Sequence, residues 1–181
     1  MPIVCLGWGS LIWDQGGLPI VGEWQKDGPP LAIEFVRQSK NGRITLTIVD
    51  GATPIPVLWV PLKVDTLDEA RLSLMKREEI PEKYLDRSVG FWSHDRSSIH
   101  SEAKAIGAWA LSQEFDGVVW TALKPKLLGA KGTPSADLVL DYLASLKGEQ
   151  RRLAEEYVRR TPTQIRTRYR ELIEAKLGWK P

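Results

Sequence analysis

The chain has 181 residues, a formal net charge of +2 and a single cysteine, Cys5. With 43% hydrophobic and 27% charged residues it is an ordinary globular composition, which excludes wholesale disorder and fits one domain with a sizeable core. The near-neutral balance calls for no acidic partner, and a lone cysteine excludes an intramolecular disulfide and a cysteine-built zinc site.

The opening Met1-Pro2-Ile3 has no basic segment leading into a long apolar one. No apolar run approaches the ~20 residues of a membrane helix. The expectation is a cytoplasmic protein that does not enter a membrane. The first strand-like run is residues 3–6, followed by a Gly- and Pro-rich loop over 16–30. Further runs follow at 31–37 and 43–49, with Asn41-Gly42 between them as a hairpin signal. Residues 56–62 form another run, whose start Pro54 and Pro56 demote to an edge or a bulge. Thr66, with Glu69 three residues on, is a capping box for a helix over 67–79, which Pro81 stops. The pattern then gives a loop over 84–101, which could close as a lid carrying Phe91 and Trp92. Strands are expected at 103–111 and 117–123. Helices are expected over 135–146 and 149–160. A last helix should begin at Thr161-Pro162-Thr163-Gln164, with Ile165, Tyr169, Leu172 and Ile173 on one face. Strands first and helices last point to an α+β fold. The domain expectation is one unit over 1–181, a core of 1–125 with C-terminal helices over 133–178 packed on it.

Two segments carry chemistry. The first is Gly7-Trp8-Gly9-Ser10-Leu11-Ile12-Trp13, where an apolar strand ends in a tight loop of small residues. Its glycines leave peptide N–H groups uncovered, so the loop can hold a carboxylate or a carbonyl oxygen. The second is Glu78. With Leu67 as reference, 100° per residue puts Leu74 about 20° to one side and Glu78 about 20° to the other. Glu78 therefore continues the stripe that faces the core, where burial would raise its pKa and fit it for proton transfer. The bland alternative is an ion pair with Arg37, Arg71 or Arg77, or a frayed helix end in water.

Other signals are weaker in chemistry. Ser10 lacks the glycine two residues on that a nucleophile elbow needs, and Ile12 occupies the third glycine position of a dinucleotide fingerprint. Cys5 reads as core. The two histidines, His94 and His100, lack metal-ligand spacing and read as loop residues. Arg151, Arg152, Arg159, Arg160, Arg166, Arg168 and Arg170 make the C-terminus basic, but interspersed glutamates fit a solvated face with i,i+4 pairs better than a nucleic-acid surface. Eight tryptophans against three phenylalanines suit either a core or a cleft lining.

Together, Gly7-Trp8-Gly9-Ser10-Leu11-Ile12-Trp13 and Leu74-Met75-Lys76-Arg77-Glu78 resemble the γ-glutamylcyclotransferase-like family, nearest its ChaC-type branch. The resemblance covers residues 3–123 as a pattern of strands and one helix. It implies a small mixed β-barrel with flanking helices, a loop of Gly7, Trp8, Gly9, Ser10 and Leu11 that binds the γ-glutamyl group of a small-molecule substrate, Glu78 as acid/base residue, release of 5-oxoproline, and no metal or cofactor. The chain departs from the family in carrying Trp8 where the loop has tyrosine, and Arg43-Ile44-Thr45 in the region of a His-Arg-Gly stretch. The alternative on the same fold is a non-catalytic module that binds a small anion or a peptide.

Overall fold

The protein is described by a computed structural model covering residues 2–181. It is α+β, with two mixed sheets and six α-helices among the described residues. The chain groups into two compact units. One is built from the residues up to Gly7, with Leu11–Pro30 and Pro56–Leu123; the other from Trp8–Ser10, Leu31–Ile55 and Lys124–Pro181.

The first unit is organised around β1 (Ile3–Gly7), whose neighbours are β5 (Leu58–Pro61), antiparallel, and β7 (Gly117–Thr121), parallel; β6 (Val89–Ser93) completes the order β5-β1-β7-β6. Val4, Cys5, Val118 and Val119 are fully buried, so these strands read as continuous apolar runs rather than alternating ones. One sheet face is covered by α1 (Leu67–Arg77), whose Leu67, Ala70 and Leu74 join Cys5, Val60 and Val119 in one cluster. The opposite face meets α3 (Ala103–Ser112), where Gly107 lies against the indole of Trp92. Between them a short α2 (Leu85–Ser88) leads directly into β6.

In the second unit, β2 (Pro30–Gln38) and β3 (Ile44–Ile48) form an antiparallel hairpin with a register shift between Phe35 and Arg37. Its turn is set by Gly42 at φ 77°, a left-handed conformation that glycine adopts without strain. Two short strands, β8 (Lys126–Leu127) and β9 (Ala130–Lys131), extend the order to β3-β2-β8-β9, and β4 (Pro54–Pro56) also pairs with β2. The helices are α4 (Ala136–Ser145), α5 (Gly148–Arg160) and α6 (Arg168–Leu177). The N-terminus of α6 is capped by Thr167 and by Glu34 of β2. The Glu34 carboxylate accepts from the Thr167 hydroxyl, from Tyr169 N–H at 3.2 Å and from its neighbour Phe35 N–H at 2.8 Å. Burial raises the Glu34 carboxyl above its ordinary value, although all three hydrogen bonds pull the other way.

Several expectations are corrected. Neither sheet closes into a barrel among the described residues; both are open. Residues 103–111, read as a strand, are α3. Its buried Ala103, Ile106, Gly107 and Ala110 recur at helical spacing, and alanine favours helix. The loop read over 84–101 contains β6, in register with β7 from Val89↔Thr121 to Ser93↔Gly117, so Phe91 and Trp92 belong to a sheet and not to a lid. The last helix begins at Arg168, not at 161. The reason is Arg170, which has no exposed surface. It donates to the carbonyls of Thr161, Pro162 and Ile165 at 2.7–2.9 Å, so residues 161–165 wrap a guanidinium and make a single turn, Ile165 N–H to the Pro162 carbonyl, rather than a helix. The capping box at Thr66 forms, with Thr66 accepting from Glu69 N–H, but Glu69 reaches back to Asp65 N–H rather than to Thr66.

Candidate functional site

The sequence singles out Gly7, Trp8, Gly9, Ser10, Leu11 and Glu78. Gly7 is the last residue of β1, Trp8 and Gly9 follow it, and Ser10 and Leu11 belong to the 3-10 turn Ser10–Ile12. Gly7 ends the strand, where a β-carbon would come within 2.7 Å of the Trp24 ring. Leu11 is buried in the cluster that holds the apolar stripe of α1. Within this first unit the structure therefore ties the end of the loop to the helix that carries Glu78.

Glu78 is the C-cap of α1, its N–H still bonded to the carbonyl of Leu74 at 3.0 Å. Its side chain is 18% exposed and forms an ion pair with Arg77 at 2.7 Å. Arg77 is itself anchored: Nε donates to the carbonyl of Asp14 at 3.2 Å and Nη2 donates to the same oxygen. The guanidinium thus fixes one carboxylate oxygen of Glu78 against the loop after β1. The alternative to a proton-transfer role, an ion pair with one of three arginines, is present: Arg77 pairs with Glu78, whereas Arg71 bonds Asp68 and Asp86. The Glu78 charge also reaches Cys5 in the middle of β1. Burial pushes the Cys5 thiol far up, Glu78 adds to the shift and Arg77 opposes it.

Trp8, Gly9 and Ser10 group with the second unit. Trp8 is buried, and its indole N–H donates to the carbonyl of Leu46 at 3.3 Å. Leu46 N–H in turn donates to the Tyr157 hydroxyl at 3.4 Å. Both contacts fall on the outer side of β3, the edge strand of its sheet, whose outward peptide groups they satisfy. A β-carbon on Gly9 would lie 2.1 Å from the Tyr157 hydroxyl oxygen, so glycine is demanded by close approach. No sequence signal announces Tyr157, which lies 148 positions from Gly9 and reaches it only through the packing of α5 on the hairpin.

The chain matches no protein-family model, no curated protein and no solved structure.

Other residues weighed from sequence have simple environments. His100 is hydrogen-bonded at both ring nitrogens, to Ser98 at 2.9 Å and to the carbonyl of Arg87 at 3.1 Å. His94 faces Asp116 at 3.9 Å with half its side chain exposed. Among the described residues no group of three or more His, Cys, Asp or Glu could hold a metal ion, and no helix is long and apolar enough to cross a membrane. The basic C-terminal helices carry i,i+4 pairs of Arg152, Arg159 and Arg160 with Glu155 and Glu156. Chemically, the first unit offers one oriented, largely buried carboxylate at the end of α1.

Proposed function

We propose that this chain is a γ-glutamylcyclotransferase-like enzyme that releases 5-oxoproline from a γ-glutamyl amide or a related small amide, with Glu78 as acid/base. The observation that carries the reading is the carboxylate of Glu78, four-fifths buried at the end of α1 and held in one orientation by Arg77. A largely buried acid, fixed by a neighbour and next to a strand that ends in a glycine loop, is an arrangement that proton transfer uses.

The chemistry balances without a cofactor. The substrate α-ammonium gives a proton to Glu78, and the freed amine attacks the γ-carbonyl carbon. A C–N bond forms and closes the five-membered ring. The bond from that carbon to the departing nitrogen then breaks as Glu78 returns the proton to it, and the ring nitrogen gives up its second proton, through Glu78, to the released amine, so the products are 5-oxoproline and an ammonium ion. In this reading the peptide N–H groups of Gly9, Ser10 and Leu11 hold the γ-glutamyl carboxylate or the carbonyl oxygen as it gains charge.

The test is 5-oxoproline release from a panel of γ-glutamyl amines by wild type and Glu78→Gln. General acid–base catalysis contributes about 10²–10⁴-fold, so the variant should fall by that factor. Equal rates in the two proteins defeat the mechanism.

One observation favours a second reading. The Glu78 carboxylate and the Trp8 indole are each already engaged by protein partners, Arg77 and Leu46. That suits a module which binds a small anion without turning it over. Saturable binding of the panel with no 5-oxoproline from wild type selects this reading.

A further inference from the structure

The first unit holds a second group of reactive side chains, in the segment that leaves β6 and enters α3. β6 is an edge of its sheet, and the chain turns back along it after Ser93, whose N–H donates to the Arg96 carbonyl at 2.8 Å. Ser98 is fixed there by both peptide groups of Phe91. Its N–H donates to the Phe91 carbonyl at 2.8 Å, and its hydroxyl oxygen accepts from Phe91 N–H at 3.2 Å. The same hydroxyl meets Nδ1 of His100 at 2.9 Å. The other nitrogen of that ring, Nε2, lies 3.1 Å from the carbonyl of Arg87 in the single turn of α2. A carbonyl only accepts, so Nε2 carries a hydrogen. In the neutral ring Nδ1 is then the bare nitrogen, and it takes the hydrogen bond of the Ser98 hydroxyl.

The bonds to Phe91 and Arg87 satisfy backbone groups at a sheet edge and a helix end, which any fold must do. The bond between hydroxyl and imidazole satisfies none. It joins a nucleophile to a base that a third group orients, the arrangement that activates serine. Both residues line an open pocket of about 450 Å³, within the usual size of small-molecule sites. Trp92 of β6 and the exposed Leu111 of α3 give this pocket apolar surface, and Lys104 in the first turn of α3 gives it a cation. We propose that Ser98 and His100 are the nucleophile and base of a second active centre, which hydrolyses small carboxylic esters with an apolar acyl group. Ser98 Oγ attacks the ester carbonyl carbon as its proton passes to His100 Nδ1. The bond from that carbon to the alcohol oxygen breaks, His100 gives the proton to that oxygen, and the acyl group stays on Ser98. A water then gives a proton to His100 and attacks the acyl carbon. The bond to Ser98 breaks, the proton returns to Oγ, and the products are an alcohol and a carboxylic acid. Lys104 supplies the positive charge toward which the carbonyl oxygen develops its own. A neutral carbonyl stands behind the imidazole where a triad has a carboxylate, so the imidazolium is less stabilised. That favours esters with a good leaving alcohol over amides.

The experiment treats wild type, Ser98→Ala and His100→Gln with p-nitrophenyl acetate and p-nitrophenyl butyrate, and separately with a fluorophosphonate that phosphonylates activated serines. The readouts are p-nitrophenol release, mass spectrometry of the labelled peptides and circular dichroism as a check on folding. Wild type should turn over the esters and carry the phosphonate on Ser98. Loss of the nucleophile or of the base should each slow ester turnover by about 10²-fold or more. His100→Gln keeps an N–H for the Arg87 carbonyl while removing the base, so it separates catalysis from folding. If Ser98→Ala misfolds, His100→Gln and the mapped label on wild type decide the matter. The proposal is overturned if wild type takes no phosphonate on Ser98, or if folded His100→Gln hydrolyses the esters and takes the label at the wild-type rate.

Discussion

Replacing Gly9 by alanine probes the contact that fixes the glycine loop in its unit. The new methyl would sit 2.1 Å from the Tyr157 hydroxyl oxygen, so the two must separate by about 1 Å to reach ordinary contact. Tyr157 has little freedom to yield. It is 4% exposed, edge-on to Phe35 and hydrogen-bonded from Leu46 N–H. Overpacking of this kind destabilises by about 1–3 kcal/mol. Removing the hydroxyl opens the space, since the nearest remaining atom, Cζ, is 3.1 Å away and needs to move only a few tenths of an ångström. In the Tyr157→Phe background Gly9→Ala should therefore be nearly neutral, helped by about 0.4–1 kcal/mol from the stiffer unfolded chain. Tyr157→Phe alone loses the long hydrogen bond from Leu46 N–H, about 1 kcal/mol. Urea unfolding of the four proteins should give a favourable coupling of about 1–2 kcal/mol between the substitutions. If their effects add to within about 0.5 kcal/mol, the close approach of the loop to Tyr157 is not what demands glycine at position 9.

Two further outcomes follow from the second unit. Arg170→Met removes the guanidinium that bridges the carbonyls of Thr161, Pro162 and Ile165 and one of the two arginines on Glu174, so it should destabilise by about 3–5 kcal/mol, against less than about 1 kcal/mol for the exposed Arg152→Met; similar denaturation midpoints for the two variants would contradict this. The raised carboxyl of Glu34 makes the folded state hold a proton that the unfolded chain releases from about pH 4.5 upward. Stability from this proton is full below the unfolded value and is lost as pH rises through the folded one. The stability of wild type relative to Glu34→Gln should therefore fall as pH rises above about 4.5, and a difference that stays flat or grows would overturn the assignment.

What the sequence disclosed follows from where each signal is local. The strands at 3–6, 31–37, 43–49 and 117–123 and the helix capped by Thr66 announce themselves by apolar runs, a turn dipeptide and a cap. Each of these needs only neighbouring residues. The segment 103–111 reads as a strand because Trp109 and Ile106 weigh that way in composition, while the deciding signal is the helical recurrence of its buried Ala103, Ile106, Gly107 and Ala110. The start of α6 was misplaced because Thr161-Pro162 is a plausible cap on local grounds, and a guanidinium nine residues later claims the carbonyls that the helix would have used. The two-residue strands have no pattern of their own: β8 exists only as a partner of β2, and β9 only as a partner of β8. At the candidate site, the inward position of Glu78 was legible from helix phase, and Arg77 was one of three named partners. The Asp14 anchor and the contact between Gly9 and Tyr157 join segments 63 and 148 positions apart, and no periodicity encodes them.

Cys5 has no exposed surface, and burial in the middle of β1 keeps its thiol protonated. A thiol in that condition does not react with alkylating reagents until the sheet around it opens. The native chain is therefore blank toward maleimide dyes. A cysteine introduced anywhere on the exterior becomes a unique attachment point for a fluorophore or spin probe, and slow alkylation of the wild type becomes a clock for opening of the first unit.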